Sequence, residues 1–132
     1  MAFNTTLKVK NGYLLCSCKG VLDGTALLAL AEESLKGRLS QNLGGILADM
    51  RKATTEMSMF DAVQFGESLA ELAFPAIRGR TAIVHCAQGE AAARLFETAL
   101  INRSFMVRLF RDFEAAEDWL QEKIELHSAT RR

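Results

Sequence analysis

Two kinds of apolar pattern in this chain predict β-strands. Some segments alternate polar and apolar residues, which is typical of a strand with one buried face, and others are short apolar runs, which are typical of a strand buried on both faces. The predicted strands are residues 5–10, 13–19, 46–49, 81–86 and 105–110. Asn11-Gly12 separates the first two strands. This dipeptide predicts an antiparallel hairpin, because both central residues of a type I′ turn need a positive φ.

Four further segments repeat apolar residues at helical spacing, and each predicts a helix that follows a strand. The residues expected to face inward are Leu28, Ala31, Leu35 and Leu39, then Ala62, Phe65, Leu69 and Leu72, then Ala92, Leu95, Phe96, Ala99 and Leu100, and finally Phe113, Ala116, Leu120 and Ile124. The expected capping residues are Asp23 or Thr25, Ser58 with Asp61, and Asp112. Pro75 is expected to end the second helix. Residues 51–57 are polar and aperiodic, which predicts an irregular loop.

The predicted elements follow the order β-β-α-β-α-β-α-β-α. Strands that alternate with helices favour an α/β fold with a mainly parallel sheet and right-handed crossovers. We therefore predict a single domain over residues 1–127, followed by a polar tail at 128–132. Its sheet is mixed and five-stranded, with the first strand antiparallel, and it carries four main helices.

Composition narrows the class of protein. The chain has 132 residues, the size of one domain, and its 16 basic and 16 acidic residues give a net charge of zero. A balanced charge disfavours broad binding to nucleic acid. Three cysteines are too few for a disulfide framework and suggest a reducing compartment. With no apolar run of signal-peptide or membrane-spanning length, we expect a soluble, cytoplasmic protein without a transmembrane segment.

Three segments, at residues 45–50, 80–84 and 106–120, together with the order of elements, resemble a known family. They are similar to the STAS domain (sulfate transporter and anti-sigma-factor antagonist), and more narrowly to the SpoIIAA-like bacterial proteins grouped with STAS and Sec14-type domains. The resemblance implies a non-enzymatic regulatory module that binds a protein partner and needs no cofactor. The Sec14-type similarity implies an alternative, a domain that binds a small molecule or lipid in an apolar pocket.

The resemblance also points to a phosphorylation site. In anti-sigma-factor antagonists, a partner kinase phosphorylates a serine near the start of the helix after the central strand, within an Asp-Ser-Ser/Thr-Gly-like motif. That motif is absent between residues 49 and 61 of this chain. Ser58 is the nearest match by position, and Thr54 and Thr55 are more distant candidates. The alternative for Ser58 is an ordinary helix cap.

Five residues are candidates for binding a partner or an anion. In a parallel sheet, ligands meet the carboxyl ends of the strands, and the helix starts beside them offer unpaired N–H groups. The candidates at such positions are Asp49, Ser58, His85, Gln88 and Arg111. Their functional interpretation is one shared binding surface. The alternative is that they cap or solvate the ends of ordinary elements, because every helix start needs hydrogen-bond partners.

The remaining reactive side chains favour packing over chemistry. His85-Cys86 is similar to the start of a thiol-phosphatase loop, but the nearest arginine, Arg94, is two helical positions too far along and is expected to point away. Cys16 and Cys18 share a strand face, where core packing is favoured over a metal site. Trp119 lies beside the apolar stripe of the last helix, either partly buried or as an anchor for a homodimer.

Overall fold

A computed structural model of the chain describes residues 3–56, 58–73 and 79–130. Its elements are β1 Phe3–Lys10, β2 Tyr13–Asp23, α1 Gly24–Ser40, β3 Gly45–Glu56, α2 Met59–Ala73, β4 Arg80–Val84, a 3₁₀ turn Ala87–Gly89, α3 Glu90–Ile101, β5 Val107–Phe110 and α4 Phe113–Thr130. This order confirms the predicted succession of strands and helices. α2 ends at Ala73, and Pro75 lies outside the described residues. The backbone of α4 is helical as far as Thr130, so the helix extends into the segment predicted as a polar tail.

The five strands form one mixed sheet in the order β1-β2-β3-β4-β5. β1 is antiparallel to β2, and the other neighbours are parallel, which confirms the predicted fold class. The hairpin between β1 and β2 pairs Lys10 with Tyr13 across a two-residue turn. Its central residues, Asn11 and Gly12, have φ values of 50° and 86°, the positive values that the type I′ prediction requires.

The direction of the crossovers explains how the helices are distributed. Each connection from β2 to β5 moves one strand further in the same direction, and βαβ crossovers are right-handed, so the helices they contain all pack on one side. We call this side, covered by α1, α2 and α3, the three-helix face. α4 follows the last strand and packs on the opposite side, which we call the α4 face.

The three-helix face carries the larger hydrophobic core. Its buried residues include Cys16, Cys18 and Leu22 of β2, Leu27, Leu30 and Leu35 of α1, Phe65 and Leu69 of α2, and Phe96 and Leu100 of α3. The helices pack closely: a methyl group at Gly66 of α2 would come within 2.8 Å of the carbonyl oxygen of Ala99 in α3. Only glycine permits this separation between the two helices.

The α4 face has a smaller core beneath a single helix. Tyr13, Leu47, Ala82, Val84, Ala116, Trp119 and Leu120 are its buried members. Trp119 is only 7% exposed and its ring lies 5.7 Å from that of Phe110, so it belongs to the core. Trp119 is therefore buried more completely than the sequence predicts, and a homodimer stays a prediction.

The predicted loop at 51–57 is also wrong, because β3 continues to Glu56. Its second half pairs in parallel with the end of β2, from Lys19 opposite Lys52 to Asp23 opposite Glu56. A register shift between Ser17 and Lys19 marks a β-bulge where the two halves join. This segment lacks the apolar pattern of a strand because few of its side chains are covered by other parts of the protein: Ala53 is the only residue buried between 51 and 56.

The inward face of α1 also differs from the prediction. Leu27, Leu30, Ser34, Leu35 and Arg38 are its buried residues, whereas Leu39 is 39% exposed. Of the four predicted inward residues, Leu35 is buried, and Leu28 and Ala31 are half-buried against the core. Residues 26–31 are all apolar, so spacing alone does not select one face.

The predicted caps are confirmed. Asp23 accepts a hydrogen bond from the Ala26 N–H at 2.9 Å, and Asp112 accepts one from the Ala115 N–H at 2.8 Å. These carboxylates satisfy N–H groups that the first turns of α1 and α4 leave open. None of the described helices combines the length and the apolar run that crossing a bilayer requires.

Candidate functional site

The five predicted binding residues lie in three separate places. Asp49 points to the α4 face within β3, Ser58 begins α2, and His85, Gln88 and Arg111 surround the ends of β4 and β5. Among the described residues, no hydrogen bond or ion pair joins the members of one place to those of another. Asp49 is nevertheless the register partner of Val84, the residue before His85, so the first and third places are neighbours on adjacent strands without a direct side-chain bond.

Asp49 is held by Arg51, two residues further along β3. The Arg51 guanidinium donates to both carboxylate oxygens, at 2.9 and 2.8 Å, and stacks 5.5 Å from the centre of the Phe113 ring. Burial alone would raise the pKa of Asp49, but the hydrogen bonds and charge of Arg51 outweigh it and lower that pKa below its usual value. The Asp49 carboxylate is therefore charged and already paired.

His85 and Arg111 border an open groove at the end of β4 and β5, and Gln88 lies in the 3₁₀ turn that follows β4. The His85 side chain is buried, and its Nδ1 lies 3.0 Å from the Cys86 carbonyl oxygen. Arg111 is exposed and its guanidinium lies 3.9 Å from Glu90, which also pairs with Arg94 at 2.8 Å. The groove has a volume of about 460 Å³ and mixed charge, which suits solvent or a polar partner more than a single anion.

Ser58 is exposed and caps α2 through a reciprocal pair of hydrogen bonds. Its Oγ accepts from the Asp61 N–H, and its own N–H donates to the Asp61 carboxylate, each at 3.1 Å. This is a capping box with aspartate in place of glutamate, as predicted. A methyl group at Gly24 would lie 3.3 Å from the Asp61 carboxylate, so the start of α1 also touches this first turn.

An exposed apolar surface surrounds Ser58, and the sequence prediction missed it. Met59 and Phe60 are 67% and 68% exposed, and Val63, one turn further along, is 46% exposed. We call these three residues the α2 apolar patch. They lie off the inward stripe of Ala62 and Phe65, and that offset was the available signal in the sequence. Contiguous exposed apolar side chains often mark a contact surface for another protein.

The thiols are placed for packing. Cys16 and Cys18 are both buried, with their sulfurs 3.7 Å apart. The contact with Cys16 and burial raise the pKa of Cys18, which keeps it a thiol. Cys86 is half-buried, and Arg94 is engaged by Glu90. In the described part of the chain, no three histidine, cysteine or acidic side chains form a group that could hold a metal ion.

A small apolar cavity lies within the three-helix face. Its volume is about 100 Å³, and its walls come from the sheet and from α1, α2 and α3, including Leu30, Ile46, Phe65, Ile83 and Phe96. Pockets for drug-sized ligands usually measure about 300–1,000 Å³. This cavity is too small for a lipid chain with its headgroup.

Several solved structures share the fold of this chain, although its sequence shows no comparable match. No family model and no curated protein matches the chain. An anti-sigma factor antagonist from Mycobacterium paratuberculosis aligns with a TM-score of 0.60 at 13% identity, covering 91% of this chain and 95% of its own. An uncharacterised protein with a SpoIIAA-like fold from Shewanella loihica aligns at 0.55 and 20% identity, covering 89% and 93%. The anti-sigma factor antagonist SpoIIAA in its unphosphorylated form aligns at 0.55 and 16% identity, covering 91% and 98%.

The alignments cover nearly the whole of both chains, so the shared feature is a complete domain. The chain has a STAS/SpoIIAA-like fold, as the sequence resemblance implied. Fold alone does not carry function, because one fold serves many unrelated activities.

Proposed function

We propose that this chain is a non-enzymatic regulatory module that binds a protein partner through the start of α2. The observation that carries the proposal is the α2 apolar patch, Met59, Phe60 and Val63, arranged around the exposed cap Ser58. Two of the solved structures named above are anti-sigma factor antagonists, which supports a regulatory role of that type. The partner is a protein with an apolar surface.

The geometry of the cap supports Ser58 as the point of regulation. A phosphate adds a charge of about −1.5 to −2 at neutral pH. At Ser58 it would lie beside the Asp61 carboxylate, whose oxygen is 3.1 Å from the Ser58 nitrogen. Repulsion between the two anions would open the reciprocal cap. Because Met59 and Phe60 belong to the same first turn, opening the cap would move the patch and weaken partner binding.

Thr54 and Thr55 are weaker candidates for the same role. Both lie within β3, paired with Val21 and Leu22 of β2. A kinase that needs an extended, accessible segment would have to detach this part of the strand. Ser58 lies beyond the end of β3 and needs no such opening.

A small apolar ligand is the second candidate, favoured only by the cavity between the sheet and its three helices. At about 100 Å³ the cavity suits a small hydrocarbon at most. The exposed patch beside Ser58 favours a protein partner instead.

Mass spectrometry of protein purified from its own host tests the proposed switch. We expect phosphate at Ser58 in a fraction of the molecules. A partner co-purified with the wild-type chain should bind Ser58→Asp more weakly than Ser58→Ala, because only the first adds charge beside Asp61. Absence of phosphate at Ser58, Thr54 and Thr55, with equal binding by both variants, would contradict it.

A further inference from the structure

The α4 face of the sheet is only partly covered. α4 packs on the first half of β2 and β3, where Tyr13 and Leu47 are buried. Beyond Leu15, alternation along β2 places Ser17, Lys19, Val21 and Asp23 on this face, where Lys19 and Asp23 are exposed and Ser17 and Val21 are half-buried. The uncovered part is therefore mostly polar, with Val21 as its apolar member in β2, and it is a surface formed by β1, β2 and β3.

Strand register places polar side chains in two rows across these three strands. One row is Asn4, Lys19 and Lys52, and the other is Thr6, Ser17 and Asp49. Together with Arg51 they line a groove of about 350 Å³, which we call the sheet groove. That volume falls within the usual range for a small-molecule site.

The charges of the sheet groove are not balanced. Lys19 and Lys52 are register partners on adjacent strands, and like charges opposite each other destabilise a sheet. Within residues 3–56, 58–73 and 79–130, neither lysine takes part in an ion pair. Arg51 is neutralised by the Asp49 carboxylate. Lys52 also contributes to lowering the pKa of Asp49, but three cations and one carboxylate line the groove, so its lining carries an excess of two positive charges.

The β-bulge contributes to this arrangement. The register moves from Ser17 opposite Asp49 to Lys19 opposite Lys52, so β3 has an extra residue at this point. Bulges redirect side chains, and they are frequent beside functional sites. Here the bulge lets both Arg51 and Lys52 line the groove.

We propose that the sheet groove binds a small phosphate monoester. Two ammonium groups match the two charges of such a ligand near neutral pH. The hydroxyls of Thr6 and Ser17 and the amide of Asn4 supply neutral donors around them. The groove and the α2 apolar patch lie on different surfaces, so this proposal does not rest on the regulatory function above.

Calorimetric titration with glycerol 3-phosphate tests the proposal. Glycerol serves as the control without charge, and citrate tests whether any multivalent anion suffices. We expect saturable binding of glycerol 3-phosphate, weakened about tenfold or more by Lys19→Gln or Lys52→Gln. Lys36→Gln, at an exposed lysine of α1, is the matched control and should bind as the wild type does.

A second measurement follows the stability of the free protein. Because the two ammonium groups repel each other, Lys52→Gln should leave the thermal midpoint of the free protein unchanged or raise it at low salt. Glycerol 3-phosphate should raise the thermal midpoint of the wild type but not that of Lys52→Gln. The assignment would be overturned if glycerol 3-phosphate showed no saturable binding up to about 10 mM, or if Lys36→Gln weakened its binding as much as the groove variants do. It would also be overturned if citrate bound as tightly as glycerol 3-phosphate, or if a poly-glutamate peptide bound more tightly.

Discussion

Three helices cover one face of the sheet, whereas α4 alone covers the other. The three-helix face buries the larger core and carries the α2 apolar patch on its outer side. The α4 face buries its core only where α4 reaches, and leaves β1 and the later halves of β2 and β3 polar. The difference follows from topology, because successive right-handed crossovers fill one face and leave only the last helix for the other.

The comparison separates two kinds of surface. On the three-helix face, partners meet the outside of a helix, so contacts depend on the α2 apolar patch and its cap. On the α4 face, solvent meets the sheet itself, so contacts depend on strand register. We therefore expect the loss of stability to be largest for a variant that weakens the packing of α4, smaller for one that strains the hairpin turn, and smallest for one that removes a single hydrogen bond.

The largest effect is expected where α4 is anchored. Leu120 is fully buried in the core of the α4 face. Leu120→Ala should lower the free energy of unfolding by about 2–5 kcal/mol, because a cavity is left beneath α4, the one helix on this side in the described part of the chain. Denaturant unfolding measures this free energy. The control is Leu39→Ala, which changes an exposed leucine of α1 and should cost less than about 1 kcal/mol. Equal costs for the two variants would contradict the assignment of α4 as this cover.

The hairpin should give the next largest effect. β1 is bonded to the sheet through β2 alone, and the turn that joins them has Gly12 at a φ of 86°. Nothing lies within 4 Å of a methyl group built there, so any cost is conformational. Gly12→Val should destabilise by about 1–3 kcal/mol, because a β-branched residue resists positive φ. Gly12→Asn should cost less, and an unchanged thermal midpoint for Gly12→Val would contradict the turn.

A smaller effect is expected from the contact between β2 and α4. Tyr13 Oη donates to the Glu117 carboxylate at 2.6 Å. This bond, with Lys10 and Asn11 adding to it, lowers the pKa of Glu117 below its ordinary 4.5. Between the folded and the unfolded pKa of Glu117, the unfolded chain binds more protons than the folded one. The stability that the Glu117 carboxylate contributes is therefore present above pH 4.5 and is lost as pH falls through the folded pKa.

Tyr13→Phe should therefore cost about 1 kcal/mol near neutral pH and flatten the acid side of the stability profile. Urea unfolding at several pH values from about 3 to 7 measures both effects. A loss that is the same at every pH would assign the role of Tyr13 to packing alone.

Local features could be predicted from the sequence, and features set by distant pairing could not. Asn11-Gly12 and the Ser58–Asp61 cap are encoded within four residues, and both appear in the structure. The second half of β3 was missed because its strand form depends on β2, from which it is separated by α1.

Arg38 and Lys19 show the same limit. Arg38 is buried because α1 brings it against Gly79, some forty residues away, where a methyl group would collide with its guanidinium. Lys19 faces Lys52 only because a bulge sets the register. The candidate site residues were found singly for the same reason: strand ends and helix starts are visible in a sequence, but the face that each side chain points to is not.

Site-specific photo-crosslinking in the native host tests whether the α2 apolar patch contacts a protein partner. p-Benzoylphenylalanine placed at position 60 lies within the α2 apolar patch, and the same residue placed at position 36 lies on exposed α1 as the control. We expect a discrete adduct with one protein from position 60 only. That protein, once purified, should bind the wild-type chain but not Phe60→Ser. No adduct at position 60, the same adducts from both positions, or undiminished binding by Phe60→Ser would contradict it.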